Sequence, residues 1–492
     1  MPIQSENVKR TLLLAVLAAT SSLLYWFAYS RVYNLFDLVD RPLFDLYTYS
    51  RTHPSARWWL AGAFLIQGGL YWIGWRTARQ VHGRSAWAVV LGGAVVSSAV
   101  LLFMFPFGAA DIFDYIMHGR ILAVHHANPF YAVARNFPQD PFVAYAAWRN
   151  TPSVYGPLWT FLTGAVAWLA ARLAGDSVLP TVLAFKLLSG VFVFAGIAVV
   201  AAILRRKAPQ YALAGALLLA WNPVILFETF GNGHNDIAMA FWILVAVLFM
   251  TRRRYTLAIV ALVTGALFKF IPALLLPAAG LIALRRLPTR RGRLRFLLVT
   301  GSATLLVLVL AYLPFWRGPD VLTAFQHLDL FTTSLPAFLR AWLQPRWGKE
   351  RATNVISYGA ALLTVLFALW RGFRASKSDA WLAFPRAGFH VILFYLLFTC
   401  LWFQEWYTIW PAALAAVIPR DRAFHWAIVV NYAGLTKPLL FAPLWLWLRP
   451  LPPQSWRELR LGPAVLALAW LFLLYRLWAT KGGARRIRLG ER

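Results

Sequence analysis

The chain has 492 residues, 60% of them hydrophobic and only 13% charged, with a mean hydropathy of +0.60. A soluble domain carries about 25% charged residues and could not hide so much apolar surface, so a water-soluble enzyme and a disordered chain are excluded. The net charge of +30 is no nucleic-acid footprint, because Lys and Arg stand in short clusters between apolar runs. That is the pattern of cytoplasmic loops facing anionic lipid headgroups.

A helix needs about 20 apolar residues to cross a ~30 Å hydrocarbon core. Runs of this kind lie near 11–28, 58–75, 86–105, 180–204, 211–227, 236–250, 255–268, 270–284, 296–314, 354–371, 387–403, 406–419, 424–447 and 462–479. They predict an all-α polytopic membrane protein of 12–14 transmembrane helices, a single integral-membrane domain over 1–492. The first run follows Lys9 and Arg10. It reads as an uncleaved anchor rather than a signal peptide, because further runs follow in the same style. The 25 Trp suit aromatic belts at two interfaces. Cys400 is the one cysteine and cannot form an intrachain disulfide.

Basic clusters orient the spans. Arg76/Arg79/Arg84, Arg205/Arg206/Lys207, Arg252/Arg253/Arg254, the Arg285–Arg295 stretch, Arg371/Arg374/Lys377/Arg386 and Arg420/Arg422 belong in the cytoplasm. They share that side only if the apolar stretch 158–175 does not cross, so it reads as re-entrant or interfacial. Both termini are then cytoplasmic. Residues 255–284 and 387–419 become hairpins that turn outside, at Lys269 and at Gln404-Glu405-Trp406-Tyr407. Of the 18 acids, only Glu6, Asp379, Asp421 and Glu491 fall inside. The outer segments are 29–57, 106–179, 228–235, 315–353 and 448–461, and 106–179 is the longest.

Four constellations in these outer segments could carry chemistry. Asp111 and Asp114 are i, i+3 and share a helix face, with Tyr115, His118 and Arg120 in the next turns. A carboxylate pair there is a candidate general base, since a like charge or burial raises a pKa toward working pH. The same acids would also suit a solvated helix start. Next come Asn128-Pro129-Phe130-Tyr131 and Tyr155-Gly156-Pro157-Leu158. Their Pro and Gly punctuate loops, and Pro157 suits a first helical position. The third, Gly231-Asn232-Gly233-His234-Asn235-Asp236, is richer in polar groups than a turn with Asp236 as helix cap requires. It could bind substrate, and one His–Asp pair is too few ligands for a metal. The fourth is the two hairpin turns. Lys269 is a lone cation among apolar residues, with no acidic partner nearby in sequence, suited to a phosphate or to snorkelling. Gln404, Glu405, Trp406 and Tyr407 can hold a sugar by stacking and hydrogen bonds, or belong to an interfacial belt. All four fall on one side of the charge map.

In order and spacing these motifs resemble bacterial membrane glycosyltransferases of the GT-C class. The relevant residues are Asp111, Tyr115, Gly119-Arg120, Asn128-Pro129-Phe130-Tyr131, Tyr155-Gly156-Pro157-Leu158, Asn232-Gly233-His234-Asn235-Asp236, Lys269-x-x-Pro272 and Gln404-x-Trp406-Tyr407-x-x-Trp410. The likeness covers roughly 100–411 and is greatest to the polyprenyl-phosphate-mannose-dependent mannosyltransferase-like group. It implies a GT-C-like fold with a large first catalytic outer loop, 106–179. It also implies an enzyme taking a hexose, mannose before others, from a polyprenyl-phosphate donor to a glycan or glycolipid acceptor at the outer face. The position of Asp111 matches the family's catalytic Asp. Asp114 departs from the family pattern, so Asp111 and Asp114 both stand as catalytic candidates. The expected donor-phosphate residues are Lys269, Arg120 and His234. Tyr115, Asn128, Tyr155, Asn232, Asn235, Asp236, Gln404, Glu405, Trp406 and Tyr407 complete the substrate set. No cofactor, metal or nucleic-acid partner is expected. The alternative is a polytopic transporter or flippase of lipid-linked sugars, which would favour inverted repeats and charges at the bilayer midplane. The sequence has no evident repeat, and its polar clusters gather at one face.

Overall fold

The computed structural model describes residues 2–489 except 47, 48, 50, 51, 54, 320, 322–329, 419–422, 448–458, 460 and 461. Arg420, Arg422 and nearly all of 448–461 thus lie outside the described residues. The chain is all-α, and among the described residues the only β pairings are isolated bridges, Asn34 with Met104 and Thr332 with Trp402.

The helices are α1 (Pro2–Tyr25), α2 (Ala56–Ala78), α3 (Arg84–Leu102), α4 (Asp111–Ala123), α5 (Pro157–Ala174), α6 (Val178–Lys207), α7 (Ala212–Ala220), α8 (Pro223–Leu226) and α9 (Asp236–Thr251). They continue with α10 (Tyr255–Ala266), α11 (Leu276–Arg286), α12 (Arg290–Tyr312), α13 (Leu335–Trp347), α14 (Lys349–Ser376), α15 (Ala383–Phe394), α16 (Ile409–Ala416), α17 (Ala423–Trp447) and α18 (Gly462–Leu489). Among the described residues the apolar runs of the sequence are largely helical, because a segment without water must satisfy its backbone internally. Gln4–Ser30, Arg84–Leu102, Val178–Lys207, Arg290–Phe315 and Lys349–Ser376 are each long and apolar enough to cross a bilayer alone. Pro209–Ala220 and Pro223–Gly231 qualify as a pair bent by 44°. The bend falls at Asn222-Pro223, where Pro ends the backbone ladder and Asn222 Oδ1 caps the next turn by accepting from Val224 and Ile225 N–H.

Every residue of α7 and α16 is buried, as are most of α9, and α16 packs against both other helices. At the periphery α12 and α14 present apolar side chains outward, as surfaces built to face lipid. Among them, Leu298 is 62% and Leu362 59% exposed. The long connection 106–179 is no plain loop. α4 and α5 lie along one another, joined through two short 3₁₀ turns at Ala134–Asn136 and Pro141–Ala144. Their approach is close enough that a Cβ on Gly119 would come within 2.4 Å of the Thr163 carbonyl oxygen. Pro157 occupies the first turn of α5, as its fixed φ favours. The α13 helix, begun by Ser334 accepting from the Ala337 N–H, was not legible in the 315–353 segment.

Both hairpins turn through non-helical backbone. Between α10 and α11 the chain passes Lys269 and a 3₁₀ turn at Ile271–Leu275. Between α15 and α16 it passes a π turn at Tyr395–Thr399, an extended stretch and a 3₁₀ turn at Glu405–Thr408. Pro272 and Gln404 mark these breaks, and such backbone is tolerated at this depth only beside protein or a cavity.

Candidate active site

The turns between α3 and α4, α10 and α11, and α15 and α16 meet, with the connection around 147–156, at one cavity of about 750 Å³. Asp111, the first residue of α4, lines it together with Asp114 and His118, the i, i+3, i+7 face of that helix. The two aspartates have opposite surroundings. Burial pushes the Asp111 carboxyl up, but the His234 imidazole beside it and the charges of His234, Lys269 and Lys437 outweigh this and hold it below the usual range. Asp114 is 4% exposed, and burial raises it to about 8, with the nearby Asp111 charge adding to the shift. Its Oδ1 accepts from the Trp148 N–H at 3.0 Å. His118 is also buried, which lowers it to about 4 and keeps the ring neutral. So at neutral pH one aspartate is ionised and its neighbour protonated.

The 228–236 turn lies behind Asp111 and does not itself line the cavity, so Asn232, His234, Asn235 and Asp236, like Tyr115 on α4, stand outside its lining. His234 is fully buried, with Nδ1 2.9 Å from Glu228 Oε2 and Nε2 3.3 Å from Asp111 Oδ2. Its ring stacks on Trp406 at 3.9 Å. Burial disfavours the imidazolium, but the two carboxylates raise His234 to about 9. Asn232 donates to Glu228 Oε2 at 2.9 Å and accepts from the Gly108 N–H at 3.1 Å. Asn235 accepts from the Tyr115 hydroxyl at 3.3 Å, and the Tyr115 ring meets Tyr155 edge-on at 4.8 Å.

Two expectations are corrected here. Asp236 does not cap α9; Asn235 holds the cap position, and Asp236 is the first helical residue. Nor is Lys269 unpaired. Its Nζ donates to Asp236 Oδ2 at 2.7 Å, and Trp410 Nε1 donates to Asp236 Oδ1 at 2.7 Å. The partner lies 33 residues earlier in the chain, beyond any local reading. Lys269 nevertheless lines the cavity, its ammonium 5.6 Å from both the Tyr155 and Tyr407 ring centres. The Tyr155-Gly156-Pro157 motif is what holds this turn. Gly156 N–H donates to Phe268 O and Leu158 N–H to Leu267 O. A Cβ on Gly156 would sit 2.0 Å from Leu267 O, so only glycine fits.

Gln404, Glu405, Trp406 and Tyr407 all line the cavity. With them stands Lys437 of α17, which bonds Gln404 Oε1 and lies 3.2 Å from Glu405 Oε2. Tyr407 stacks on Trp410 at 4.3 Å.

Arg120 and Asn128 are elsewhere. Arg120 points to the far side of α4, donating to Asp140 at 2.8 Å and to Asp176 at 2.7 Å, with its guanidinium over Phe142. It does not line the cavity with Lys269. Asn128 donates to Phe315 O at 2.8 Å and accepts from Phe130 N–H. The Asn-Pro-Phe-Tyr motif thus staples the long connection to the chain after α12, with Tyr131 bonding Gly318 O.

The sequence profile described as alpha-(1->6)-mannopyranosyltransferase, N-terminal domain, matches residues 15–285, more than half of the chain. The chain belongs to this family. Alpha-(1->6)-mannopyranosyltransferase A of Corynebacterium glutamicum is 26% identical to it over 202 residues, which cover 39% of this chain and 39% of that relative. The chain therefore matches well under two thirds of the relative's length.

The family match contains Asp111, the 228–236 turn behind it and Lys269. Glu405 and Lys437, which also line the cavity, lie beyond it. Glu228, His118, Trp148 and Lys437 were missed as site residues. Glu228 and Lys437 each carried a signal, an ionisable residue within or at the end of an apolar run. Trp148 carried none.

Proposed function

We propose that the chain transfers a hexose, mannose, from a polyprenyl-phosphate donor to a hydroxyl of a glycan or glycolipid acceptor, with inversion at the anomeric carbon. The observation that carries this reading is one cavity holding an ionised, partly exposed Asp111 carboxylate and two lysine ammonium groups, Lys269 and Lys437. Family membership narrows the sugar to mannose.

Asp111 is the general base. It accepts the acceptor's hydroxyl proton as that oxygen attacks the anomeric carbon. The bond from that carbon to the phosphate oxygen breaks in line, and polyprenyl phosphate leaves with the electron pair. Lys269 and Lys437 stabilise the charge that develops on it. Lys269 keeps Asp236 as its buried counter-ion, so its ammonium is fixed in direction before the donor arrives. Asp114, held neutral by burial, offers a hydroxyl donor rather than a second base. Tyr155, Trp406 and Tyr407 give faces for the sugar, and Phe270, Ile271 and Tyr395 give an apolar margin for the first isoprene units. The base sits in the 106–179 connection of a single membrane domain spanning 1–492. On the charge map the site opens at the outer face, with both termini in the cytoplasm.

The test is to offer purified protein in detergent a set of labelled polyprenyl-phosphate sugars with a mannose-terminated acceptor. Mannose transfer with inverted anomeric configuration is expected. Binding of the lipid-linked sugar without any product would favour the transporter reading.

A further inference from the structure

Glu228 and His234 have no cavity-facing task in the mechanism above, yet they belong to a buried polar chain directly behind Asp111. Glu228 is 2% exposed and His234 0%. Starting from the backbone, the Gly108 N–H donates to Asn232 Oδ1, Asn232 Nδ2 donates to Glu228 Oε2, the same oxygen faces His234 Nδ1, and His234 Nε2 faces Asp111 Oδ2. Gly108 stands three residues before Asp111, so the chain closes on the loop that carries the base. The π turn Phe227–Gly231 brings Glu228 beneath His234, whose N–H also donates to the Glu228 carbonyl at 2.8 Å. Trp406 clamps the other face of the imidazole.

We propose that Glu228 and His234 are positioning residues for Asp111, a buried carboxylate–imidazolium pair that fixes the direction and charge of the catalytic carboxylate. This rests on the reading of Asp111 as the base, and it removes His234 from the phosphate-binding candidates. A histidine with no exposed surface and a carboxylate on each side cannot receive a phosphate without surrendering one of them. With both ring nitrogens protonated, His234 donates from Nδ1 to Glu228 and holds its Nε2 3.3 Å from Asp111 Oδ2 as an ion pair, leaving the other Asp111 oxygen for the acceptor hydroxyl. When the acceptor's proton arrives on Asp111, it stays on that free oxygen, and the imidazolium keeps both of its own. Glu228 answers the imidazolium charge in a place where water cannot. Other charges bear on the triad. Glu405 acts on Glu228, and Lys269 and Lys437 act on Asp111.

The test is a pH–rate profile at saturating donor and acceptor for wild type, Glu228→Gln and His234→Gln, with KM for the donor measured alongside. Wild type should lose activity as pH rises through about 9, where His234 gives up its proton. Glu228→Gln removes one of its two anionic partners, so that alkaline limb should move down by about one pH unit or more. Its kcat at pH 7 should fall about tenfold or more with donor KM unchanged, as for a group that orients a base. Asp114 titrates in every variant alike, so the displacement of the limb is the diagnostic. A merely structural role would lower the yield of folded protein and leave the limb in place, which would overturn the proposal. So would a rise in donor KM without a fall in kcat. The pair can also be read without turnover, from the ¹⁵N-imidazole resonance assigned to His234 by its absence in His234→Gln. Titration of that resonance near pH 9 in wild type and clearly lower in Glu228→Gln supports the pair, and an unmoved titration refutes it. If wild type transfers nothing while this titration behaves as expected, the assigned activity fails and the pair stands.

Discussion

At the scale of single residues, the two aspartates of α4 show why a pair of carboxylates three positions apart is not two equivalent bases. Asp111→Asn keeps the shape of the side chain and cannot take the proton, so initial rates of transfer should fall by ~10²–10⁴-fold with protein abundance unchanged. Asp114→Asn should cost far less, because a neutral amide replaces an already neutral carboxyl. A stability measurement separates them further. Asp114 titrates at about 8 when folded and near ~3.9 when unfolded, so the folded state binds the extra proton between these values and loses stability as pH rises through them. Thermal unfolding of Asp114→Asn should therefore come at a higher temperature than wild type at pH 8.5 and at the same temperature near pH 4. Equal curves at both would show that Asp114 is not held neutral. Lys269 needs a different design, since Lys269→Gln strands the buried Asp236 carboxylate, a loss of about 3–5 kcal/mol in stability. The double variant Lys269→Gln/Asp236→Asn should regain abundance and still raise the donor KM more than tenfold, while Lys269→Arg recovers part of the donor binding. Residue identities at the site were legible because ionisable groups are rare in apolar runs. Their partners were not, since Asp236 meets Lys269, and Glu405 meets Lys437, only through the fold.

At the scale of elements, the position of Asp111 depends on how closely α4 approaches α5. Gly119 and Gly164 lie at that contact. A Cβ on Gly119 would press on the Thr163 carbonyl at 2.4 Å, and one on Gly164 would meet the Leu122 side chain at 2.7 Å. Backbone cannot yield as a flexible side chain can, so Gly119→Val should reduce transfer severely and lower thermal stability, whereas Gly164→Ala should be mild. Equal tolerance of both would mean that the α4–α5 packing does not set the base. The helices themselves were legible from apolar periodicity and length, and the Tyr-Gly-Pro motif from its punctuation. What was hidden is that Gly156 serves the Lys269 turn more than its own, because its lack of a side chain lets the Leu267 carbonyl approach where a Cβ would clash. α13 was hidden for another reason: its Pro336, Arg340, Gln344 and Pro345 give it no long apolar run.

At the scale of the whole molecule, the all-α polytopic class came from length and apolar composition, because lipid leaves the backbone few choices. The arrangement of spans around a cavity did not, because apolar faces carry little information about which neighbour they meet. The expected orientation has a direct check. In a Cys400→Ser background, a cysteine replacing exposed Gln139 should react with an impermeant thiol reagent on intact cells, and cysteines replacing exposed Arg253 or Asp379 only after permeabilisation. Labelling of position 379 in intact cells would reverse the map. The central claim, that one cavity joins a carboxylate base to a lipid-phosphate donor, is tested most directly by a single comparison. Purified wild type and Asp111→Asn are supplied with polyprenyl-phosphate [¹⁴C]mannose and a mannose-terminated acceptor in detergent, and label in the acceptor is counted over time. The account predicts steady transfer by wild type and a loss of at least ~100-fold in Asp111→Asn at unchanged donor KM. Equal rates in the two proteins would contradict it.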